Sequence, residues 1–274
     1  DPHHPMTPPG SWFEKYRPSE MPLPSSRTDK LDGAPEHLQN FQSIHPKDQR
    51  QWVAPCGFGS DELLREAIAA TYGMIEMIDN GIGKILKSLE DTQQLDNTII
   101  VFTSDHGDMM GDHGLFLKGF MHYRGTLQVP LMVRAPGIEA QENHELASSI
   151  DIGPTLLELC ELPFYEGIQG ETLVPILLGD KKSVRDCVLI EDDIATVTAR
   201  LTPIPAKTRT LITKTHRYTR NSNLEEQLFN LDEDPDELTD LSTEQQSVRS
   251  LIIEQMMDAL IHTDDAARGA PTTA

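Results

Sequence analysis

The segment TIIVFTSDHGDMMGDHGLFLKGFMHYRGTLQVPLMVRAPG, residues 98–137, joins an apolar run to a loop crowded with ionisable side chains. The run from Thr98 to Thr103 is β-branched or apolar without alternation, which is typical of a strand covered on both faces in a parallel sheet. The glycine-rich loop that follows carries the ionisable residues Asp105, His106, Asp108, Asp112, His113, Lys118, His122 and Arg124. Because open α/β sheets bind ligands beyond the carboxyl ends of their strands, we expect a binding crevice at this loop.

The neighbouring segments complete the pattern of an α/β domain. An apolar stripe with the period of a helix runs from Leu64 to Leu89 and predicts a long amphipathic helix before the strand. Residues 129–135 predict a second strand, closed by a Pro-Gly pair. In residues 148–162, Asp151 is placed to cap a helix with Pro154 in its first turn, so we interpret it as a cap rather than a catalyst.

Beyond about residue 180 the pattern changes to short strands separated by polar turns. The predicted strands are residues 187–191, 208–214, 216–220 and 227–231, and together they indicate a small antiparallel sheet. A helix with an apolar stripe from Val248 to Leu260 would cover one face of it. The acidic run DEDPDELTD, residues 232–240, is interpreted as a solvated turn, with a cation site as the alternative.

Composition restricts the class of partner. The 274 residues include 23 Lys and Arg against 44 Asp and Glu, for a net charge of -21, which opposes binding to a phosphate backbone and makes a nucleic-acid partner unexpected. No segment approaches the roughly 18 apolar residues that a membrane span needs. The 3 cysteines are too scattered for a disulfide framework or a zinc knuckle. We therefore expect a small anionic ligand, held by local charge.

The chain opens with DPHHP, in which prolines flank His3 and His4 and favour an extended loop. One interpretation is a frayed terminus with two solvated histidines; the other is a loop that delivers an imidazole into a pocket. Residues 12–55 show little periodicity and predict a long surface excursion with a short helix near residues 35–41. That excursion carries no chemistry that the sequence identifies.

The residue types of the central loop suit metal-assisted hydrolysis of an anionic ester. Asp105 offers a hard oxygen and His106 a nitrogen, which is half of a divalent-cation site. Lys118 could neutralise an ester oxygen, and His113 or His122 could transfer a proton near neutral pH. The alternative is that Ser104 and Asp105 cap a helix while the glycines make turns.

The run TSDHGDMMGDHGLFLKG followed by VPLMVRAPG resembles the C-terminal half of a formylglycine-dependent sulfatase. The resemblance continues through residues 151–156, through GETLVPILLG at 170–179 and through LFNLDEDPDE at 228–237. The family belongs to the alkaline phosphatase superfamily, so the resemblance implies part of an α/β/α sandwich over residues 1–180. It also implies a small C-terminal antiparallel sheet with a covering helix over residues 181–263. We expect residues 264–274 to be a disordered tail.

The resemblance also implies roles for individual residues. Asp105 and His106 correspond to metal ligands, and Lys118 to a contact with the sulfate oxygens. The PHHP sequence looks like the family's sulfate-contacting loop, which would make His3 a sulfate ligand and the leaving-group acid. Calcium is the family norm, and manganese is the alternative because many members have Asn where this chain has His106. We include His113 and His122 as further substrate contacts, without a motif that assigns them.

The chain departs from the family where the nucleophile is concerned. The family's Cys-x-Pro-Ser-Arg or Ser-x-Pro-Ser-Arg motif and its Asp-Asp metal pair are not in place here: Cys56 lacks the following proline, and Asp192-Asp193 lies in the C-terminal sheet. We therefore expect that the N-terminal half of a sulfatase is missing, and that the chain by itself is inactive. Localisation cannot be read from this N-terminus, and a soluble cytoplasmic or periplasmic protein is expected.

Three functions stay open at this point. The first is a sulfatase acting on a small-molecule sulfate ester, with the formylglycine outside this chain. The second is a phosphonate or phosphate ester hydrolase of the same superfamily, because a tetrahedral anion of either element fits the same site. The third is an inactive remnant or a binding module. The missing N-terminal half, or a second copy of the chain, is the expected protein partner.

Overall fold

The computed structural model describes residues 2–45, 56–57, 59–193 and 207–263. The described residues form two compact units, one up to Pro136 and one from Gly137. The expected domain limits, 1–180 and 181–263, follow the family resemblance rather than compactness and stay a prediction. The expected disordered tail, 264–274, lies outside the described residues.

The first unit is built around one long helix and two short strand pairs. Its helices and strands in the described residues are, in chain order, α1 (Glu36–Ser43), β1 (Cys56–Gly57), α2 (Asp61–Asp91), β2 (Ile100–Thr103), β3 (Leu115–Phe116), α3 (Arg124–Leu127) and β4 (Leu131–Arg134). β1 pairs with β3, and β2 pairs with β4, each antiparallel. The predicted long helix, the short helix near residues 35–41 and the second strand are confirmed.

Helix α2 begins where its sequence provides a cap. The Ser60 hydroxyl accepts the backbone N–H of Leu63 at 3.2 Å, and Asp61 and Glu62 place negative charge in the first turn. The N-terminal half of the helix is buried against the segment that precedes it. There Gly73 contacts the backbone of Trp12 so closely that an added Cβ would lie 2.3 Å from the Trp12 carbonyl oxygen. Only glycine fits at that crossing.

The prediction of a parallel strand covered on both faces is wrong for β2. Within the described residues its hydrogen-bonded neighbour is β4, with Val101 opposite Val133 and an antiparallel direction. Both strands are half exposed, Phe102 at 37% and Met132 at 60%. The cause is the connection: residues 104–130, which include β3 and the short helix α3, reverse the chain, whereas a parallel neighbour needs a crossover. An apolar run in the sequence indicates that a strand is hydrophobic, but it does not indicate whether the neighbouring strand is parallel or antiparallel.

The second unit contains the predicted antiparallel sheet and its helix. Its elements in the described residues are α4 (Ile152–Leu159), α5 (Val174–Leu177), β5 (Cys187–Asp193), β6 (Lys207–Thr213), β7 (His216–Asn221), β8 (Glu226–Asn230) and α6 (Gln246–Thr263). The four strands lie in the order β5-β6-β7-β8. The prediction of this architecture is confirmed.

The two faces of this sheet differ in chemistry. Leu211, Tyr218 and Leu228 form an apolar cluster with Ile252 and Met256 of α6. The opposite face is buried but polar: the hydroxyls of Thr210 and Thr219 lie 2.6 Å apart, and the guanidinium of Arg217 is paired with Glu237. Residues that alternate along a strand point to opposite faces, which is why one sheet can carry both surfaces.

The acidic run at residues 232–240 does more than turn the chain. Glu237 is 3% exposed and pairs with the buried Arg217, so its charge belongs to the interior of the unit. The Asp240 carboxylate accepts the backbone N–H groups of Leu228 and Ser242 at 3.0 and 2.9 Å. The interpretation as a simple solvated turn is therefore wrong for these two residues.

Candidate active site

Asp105 and His106 lie immediately beyond the carboxyl end of β2. The Asp105 Oδ2 atom and the His106 Nε2 atom are 3.5 Å apart, with side chains 83% and 43% exposed. No helix begins at residues 104–106, because the next helical turn is at Asp112–Gly114. The interpretation of Ser104 and Asp105 as a helix cap is therefore excluded. Instead, the Ser104 hydroxyl donates to the His106 carbonyl at 2.8 Å.

The hydrogen bonds of the His106 ring define which nitrogen is free. Its Nδ1 lies 2.8 Å from the Gly107 carbonyl oxygen, which can only accept, so Nδ1 carries the hydrogen. The lone pair of the neutral ring is then on Nε2, the nitrogen nearest Asp105. Metal-binding histidines commonly donate their other N–H to a carbonyl in this way. Burial raises the pKa of Asp105, but the His106 ring and its backbone N–H lower it below the usual range.

These two donors fit a divalent cation as part of its ligand set. The oxygen is hard and exposed, and the nitrogen has its lone pair available. Among residues 2–45, 56–57, 59–193 and 207–263, however, no group of three His, Cys, Asp or Glu side chains converges for a metal. Calcium usually takes about six to eight ligands. Asp105 and His106 are therefore a half-site.

Lys118 is held in a tightly turned loop. Its neighbours Leu117 and Gly119 both have left-handed backbone, with φ of 69° and 100°, a conformation that is costly for a leucine. One oxygen of Asp108 accepts the N–H groups of Leu117 at 3.1 Å and Met110 at 2.9 Å, which ties the two arms of the loop together. The left-handed turn is thus fixed by a specific carboxylate.

Asp108 also shows that the candidate residues are near each other. Burial raises the pKa of its carboxyl, whereas the backbone N–H groups of Met110 and Leu117 and electrostatic interactions with Lys118 and His106 act in the opposite direction. Both side chains therefore lie within electrostatic range of one partly buried carboxylate. The structure brings the half-site and Lys118 to the same loop, as the sequence predicts.

The N-terminal histidines lie at the same loop. The rings of His3 and His4 stack with centroids 4.1 Å apart, and the His3 Nδ1 atom lies 2.7 Å from the His4 carbonyl oxygen. Since that carbonyl can only accept, the His3 ring donates from Nδ1. The pKa of His4 is lowered by burial and by the charges of His3 and Lys118. These contacts favour the interpretation of this segment as a loop that delivers an imidazole into a pocket, rather than as a frayed terminus with solvated histidines.

His113 and His122 are both buried, at 2% and 7% exposure. The Nδ1 atom of His113 lies 2.7 Å from the Asp29 carboxylate, and its ring stacks on Tyr123 with centroids 4.0 Å apart. Its backbone φ of 51° is left-handed. The His113 side chain is therefore enclosed by other groups of the protein.

Residues 24–42 contact the loop between β2 and β4, residues 104–130, which we call the site loop. Nothing in the sequence predicts this contact. The hydroxyl of Ser26 donates to Asp112 at 2.7 Å and accepts the His113 N–H at 3.1 Å. The Gln42 amide donates to the carbonyls of Asp29 and His113 at 2.8 and 2.6 Å. We call Ser26, Asp29 and Gln42 the clasp. The predicted surface excursion is therefore wrong for this part, because it packs against the site loop.

Asp151 is a structural residue, but the prediction that its side chain caps α4 is wrong: it makes no capping hydrogen bond to that helix, and Ser148 is the N-cap of the preceding turn. Its carboxylate accepts the Ser148 N–H at 2.8 Å in a capping box, accepts the Glu171 N–H at 2.8 Å, and pairs with Arg185. It is 0% exposed. With its oxygens used in this way, Asp151 braces the second unit.

Known proteins are similar to this chain in both sequence and fold. The sulfatase family model matches residues 1–162, and the model of the N-sulphoglucosamine sulphohydrolase C-terminal region matches residues 111–265. An arylsulfatase of Clostridium perfringens is 30% identical over 248 residues, covering 88% of this chain and 47% of that protein. Arylsulfatase K of Gallus gallus is 31% identical over 241 residues, covering 84% of this chain and 42% of that protein.

Among solved structures, the phosphonate monoester hydrolase of Agrobacterium radiobacter superposes with a TM-score of 0.82 at 28% identity, over 96% of this chain and 55% of that one. The fold and the loop at the end of β2 thus define an α/β protein of the alkaline phosphatase superfamily. Within it, the chain belongs to the sulfatase family. It spans about half the length of the curated relatives it matches.

Proposed function

We propose that this chain supplies the anion-binding and metal-binding residues of a sulfatase-type hydrolase that cleaves a sulfate ester. The observation that carries the proposal is that Asp108 fixes the turn carrying Lys118 in the same loop as His106, and that His4 of the N-terminal segment lies within electrostatic range of Lys118. In a chain with a net charge of -21, the Lys118 ammonium group with neighbouring imidazole groups that can donate hydrogen bonds is the feature suited to a small anion.

The nucleophile of the proposed reaction lies outside this chain. The resemblance implies a formylglycine, and neither of the family's nucleophile motifs is present in the 274 residues. We use the term whole enzyme for this chain together with the residues that carry the formylglycine. The chain without them is proposed to be inactive, because no activated nucleophile would meet the ester.

Asp105 and His106 would hold the cation, calcium or alternatively manganese. When bound, the cation would supply positive charge at the ester oxygens and offset the charge that develops in the transition state. The orientation of His106 by the Gly107 carbonyl supports this role, since it leaves Nε2 available. The remaining ligands would come from the part of the whole enzyme that this chain does not contain.

Lys118 and His3 would act directly on the ester. The ammonium group of Lys118 would bind a sulfate oxygen, held in position by the turn that Asp108 stabilises. As the bond from sulfur to the alcohol oxygen breaks, that oxygen would take the Nε2 proton of the His3 imidazolium, which would leave a neutral ring with its hydrogen on Nδ1. His3 suits this role because its Nδ1 hydrogen is already donated to the His4 carbonyl, and its ring is exposed for reprotonation by water.

We infer a different role for the two remaining histidines of the sequence prediction. His113, enclosed by Asp29 and Tyr123, would position the site loop rather than touch the substrate. His122 is similarly buried. Both would contribute to catalysis through the geometry of the loop that carries Lys118.

The second candidate is a phosphonate monoester hydrolase. The observation that favours it is the structural similarity to the phosphonate monoester hydrolase of Agrobacterium radiobacter, at a TM-score of 0.82. A phosphonate monoester is also a tetrahedral anion, so the same lysine and cation would bind it. The sulfate ester is preferred here because both family models and both curated relatives are sulfatases by description.

The test of the proposed site is Lys118→Ala in the whole enzyme. We expect turnover of an aryl sulfate to fall by about 10² or more, the scale of losing one preorganised electrostatic contact. The control is Lys84→Ala, which removes an exposed lysine of α2 and should leave turnover unchanged. Normal turnover by Lys118→Ala would remove Lys118 from the site, and wild-type whole enzyme without any esterase activity would favour a remnant or a binding module.

A further inference from the structure

His4 has one ring nitrogen that the protein neither uses nor exposes. Its Nδ1 atom is buried and has no hydrogen-bond partner within the described part of the chain. The other ring nitrogen, Nε2, is not among the buried unpaired atoms, and no hydrogen bond engages it in the described residues. The two nitrogens of this ring therefore have different environments, and that difference determines where its hydrogen lies.

The hydrogen of the neutral ring belongs on Nε2. An N–H group at the buried Nδ1 would lack an acceptor and would lose the hydrogen bond that water gives it in the unfolded chain. A bare Nδ1 lone pair in the same place is less costly, because histidine then keeps its donor at the nitrogen that is not enclosed. A charged ring would require a hydrogen on both nitrogens, including the buried one.

The surroundings of the ring also oppose a positive charge on it. The His3 ring is stacked on it with centroids 4.1 Å apart, and the Lys118 ammonium acts on it electrostatically. In agreement with this geometry, burial, His3 and Lys118 each lower the pKa of His4. At neutral pH, His4 is thus a neutral donor beside a permanent cation.

We propose that His4 is a further ester-binding residue, whose neutral imidazole donates from Nε2 to an oxygen of the anionic ester next to Lys118. This inference rests on the proposed function, since it names a second contact for the same ester. It assigns different roles to the two adjacent histidines. His3 would give its proton to the leaving alcohol, whereas His4 would keep its hydrogen and bind the anion during the whole reaction.

Two amide substitutions separate the two ring nitrogens. In His4→Gln the side-chain amide NH₂ can take the place of Nε2–H, whereas in His4→Asn the shorter side chain places it near the position of Nδ1. In the whole enzyme we expect kcat/KM for an aryl sulfate to be at least about tenfold higher in His4→Gln than in His4→Asn. The matched controls are His144→Gln and His144→Asn, at an exposed histidine, which should not differ.

A spectroscopic measurement tests the same inference without turnover. Two-bond ¹H–¹⁵N NMR of the histidine-labelled whole enzyme at pH 7 should show His4 as the neutral Nε2–H tautomer, with its resonances shifting on titration with inorganic sulfate. A charged ring, a hydrogen on Nδ1, no response to sulfate, or equal activity of His4→Gln and His4→Asn would each overturn the inference. If the wild type cleaves no ester, the proposed function fails, and the NMR experiment with sulfate decides the assignment of His4 by itself.

Discussion

At position 113 the imidazole is 2% exposed and bonded to Asp29, so a residue type that suits proton transfer serves here as a brace. The residue type alone could not distinguish these roles, because the partner is 84 residues away in the sequence. The position of Lys118 and of the pair Asp105-His106 in one loop after a strand end, by contrast, could be predicted, while their roles stay a proposal. Ser26 and Gln42 belong to no periodic pattern or motif. Their contacts with residues far away in the sequence therefore could not be predicted from the sequence alone.

Removing the Asp29 carboxylate should destabilise the protein by about 1–3 kcal/mol, because Asp29→Ala leaves the His113 ring and the Leu31 N–H without their acceptor. Burial raises the pKa of Asp29, but the bond to His113 and the backbone N–H groups lower it below the ordinary value of 3.8. The charged form therefore stabilises the fold at pH above 3.8, and this contribution is lost as the pH falls through the lower pKa of the folded state.

Urea unfolding from pH 7 down to pH 3 measures this effect, with Asp32→Ala at an exposed carboxylate as the control. The difference between wild type and Asp29→Ala should be constant near neutral pH and shrink only below about pH 3.8. A difference that is absent at pH 7, or equal to that of Asp32→Ala, would show that the clasp does not hold the loop through this carboxylate.

Helix α2 illustrates what a periodic pattern establishes at the scale of an element. The stripe from Leu64 to Leu89 predicts the helix correctly, yet burial is confined to its N-terminal half: Leu64 is 0% exposed, whereas Ile75 and Ile85 are 49% and 62% exposed. Periodicity identifies the apolar face of a helix but not what covers it. The four strands of the second unit were predictable to within two residues, since their turns are marked by polar residues and their pairing is sequential.

Helix α6 offers a matched pair of methionines to test the packing of the second unit. Met256 is 5% exposed in the apolar cluster, while its neighbour Met257 is 53% exposed. We expect Met256→Ala to cost about 2–4 kcal/mol of unfolding free energy, through lost burial and the cavity left behind, and Met257→Ala less than about 0.5 kcal/mol. Chemical denaturation of both variants is the measurement; equal costs would mean that α6 does not cover the sheet by this face.

At the scale of the whole molecule, the chain is strongly acidic while its candidate site places a lysine beside hydrogen-bond donors. A net charge of -21 sets a repulsive background for anions, and the charge of Lys118 together with nearby hydrogen-bond donors must overcome it at short range. None of the helices in residues 2–45, 59–193 and 207–263 is long and apolar enough to cross a bilayer. The chain covers 47% of the Clostridium perfringens arylsulfatase and 42% of the Gallus gallus arylsulfatase K, so the activity of a whole sulfatase is proposed for it rather than established.

Metal removal tests the half-site in the whole enzyme. We expect chelation to abolish activity and calcium or manganese to restore it, because Asp105 and His106 offer one oxygen and one nitrogen. Zinc should restore little, since no second histidine or cysteine converges on this pair in the described residues. Calorimetric titration with calcium should show weaker binding in Asp105→Ala than in wild type, and full activity after exhaustive metal removal would contradict the assignment.

The most direct test of the central claim is the choice of ester by the whole enzyme with its formylglycine formed. Kinetics on an aryl sulfate and on an aryl phosphonate monoester with the same leaving group compare the two anions in one site. The account predicts kcat/KM at least about tenfold higher for the sulfate, a difference within the range that binding contacts supply. A clear preference for the phosphonate monoester would contradict it and identify the chain as part of a phosphonate ester hydrolase.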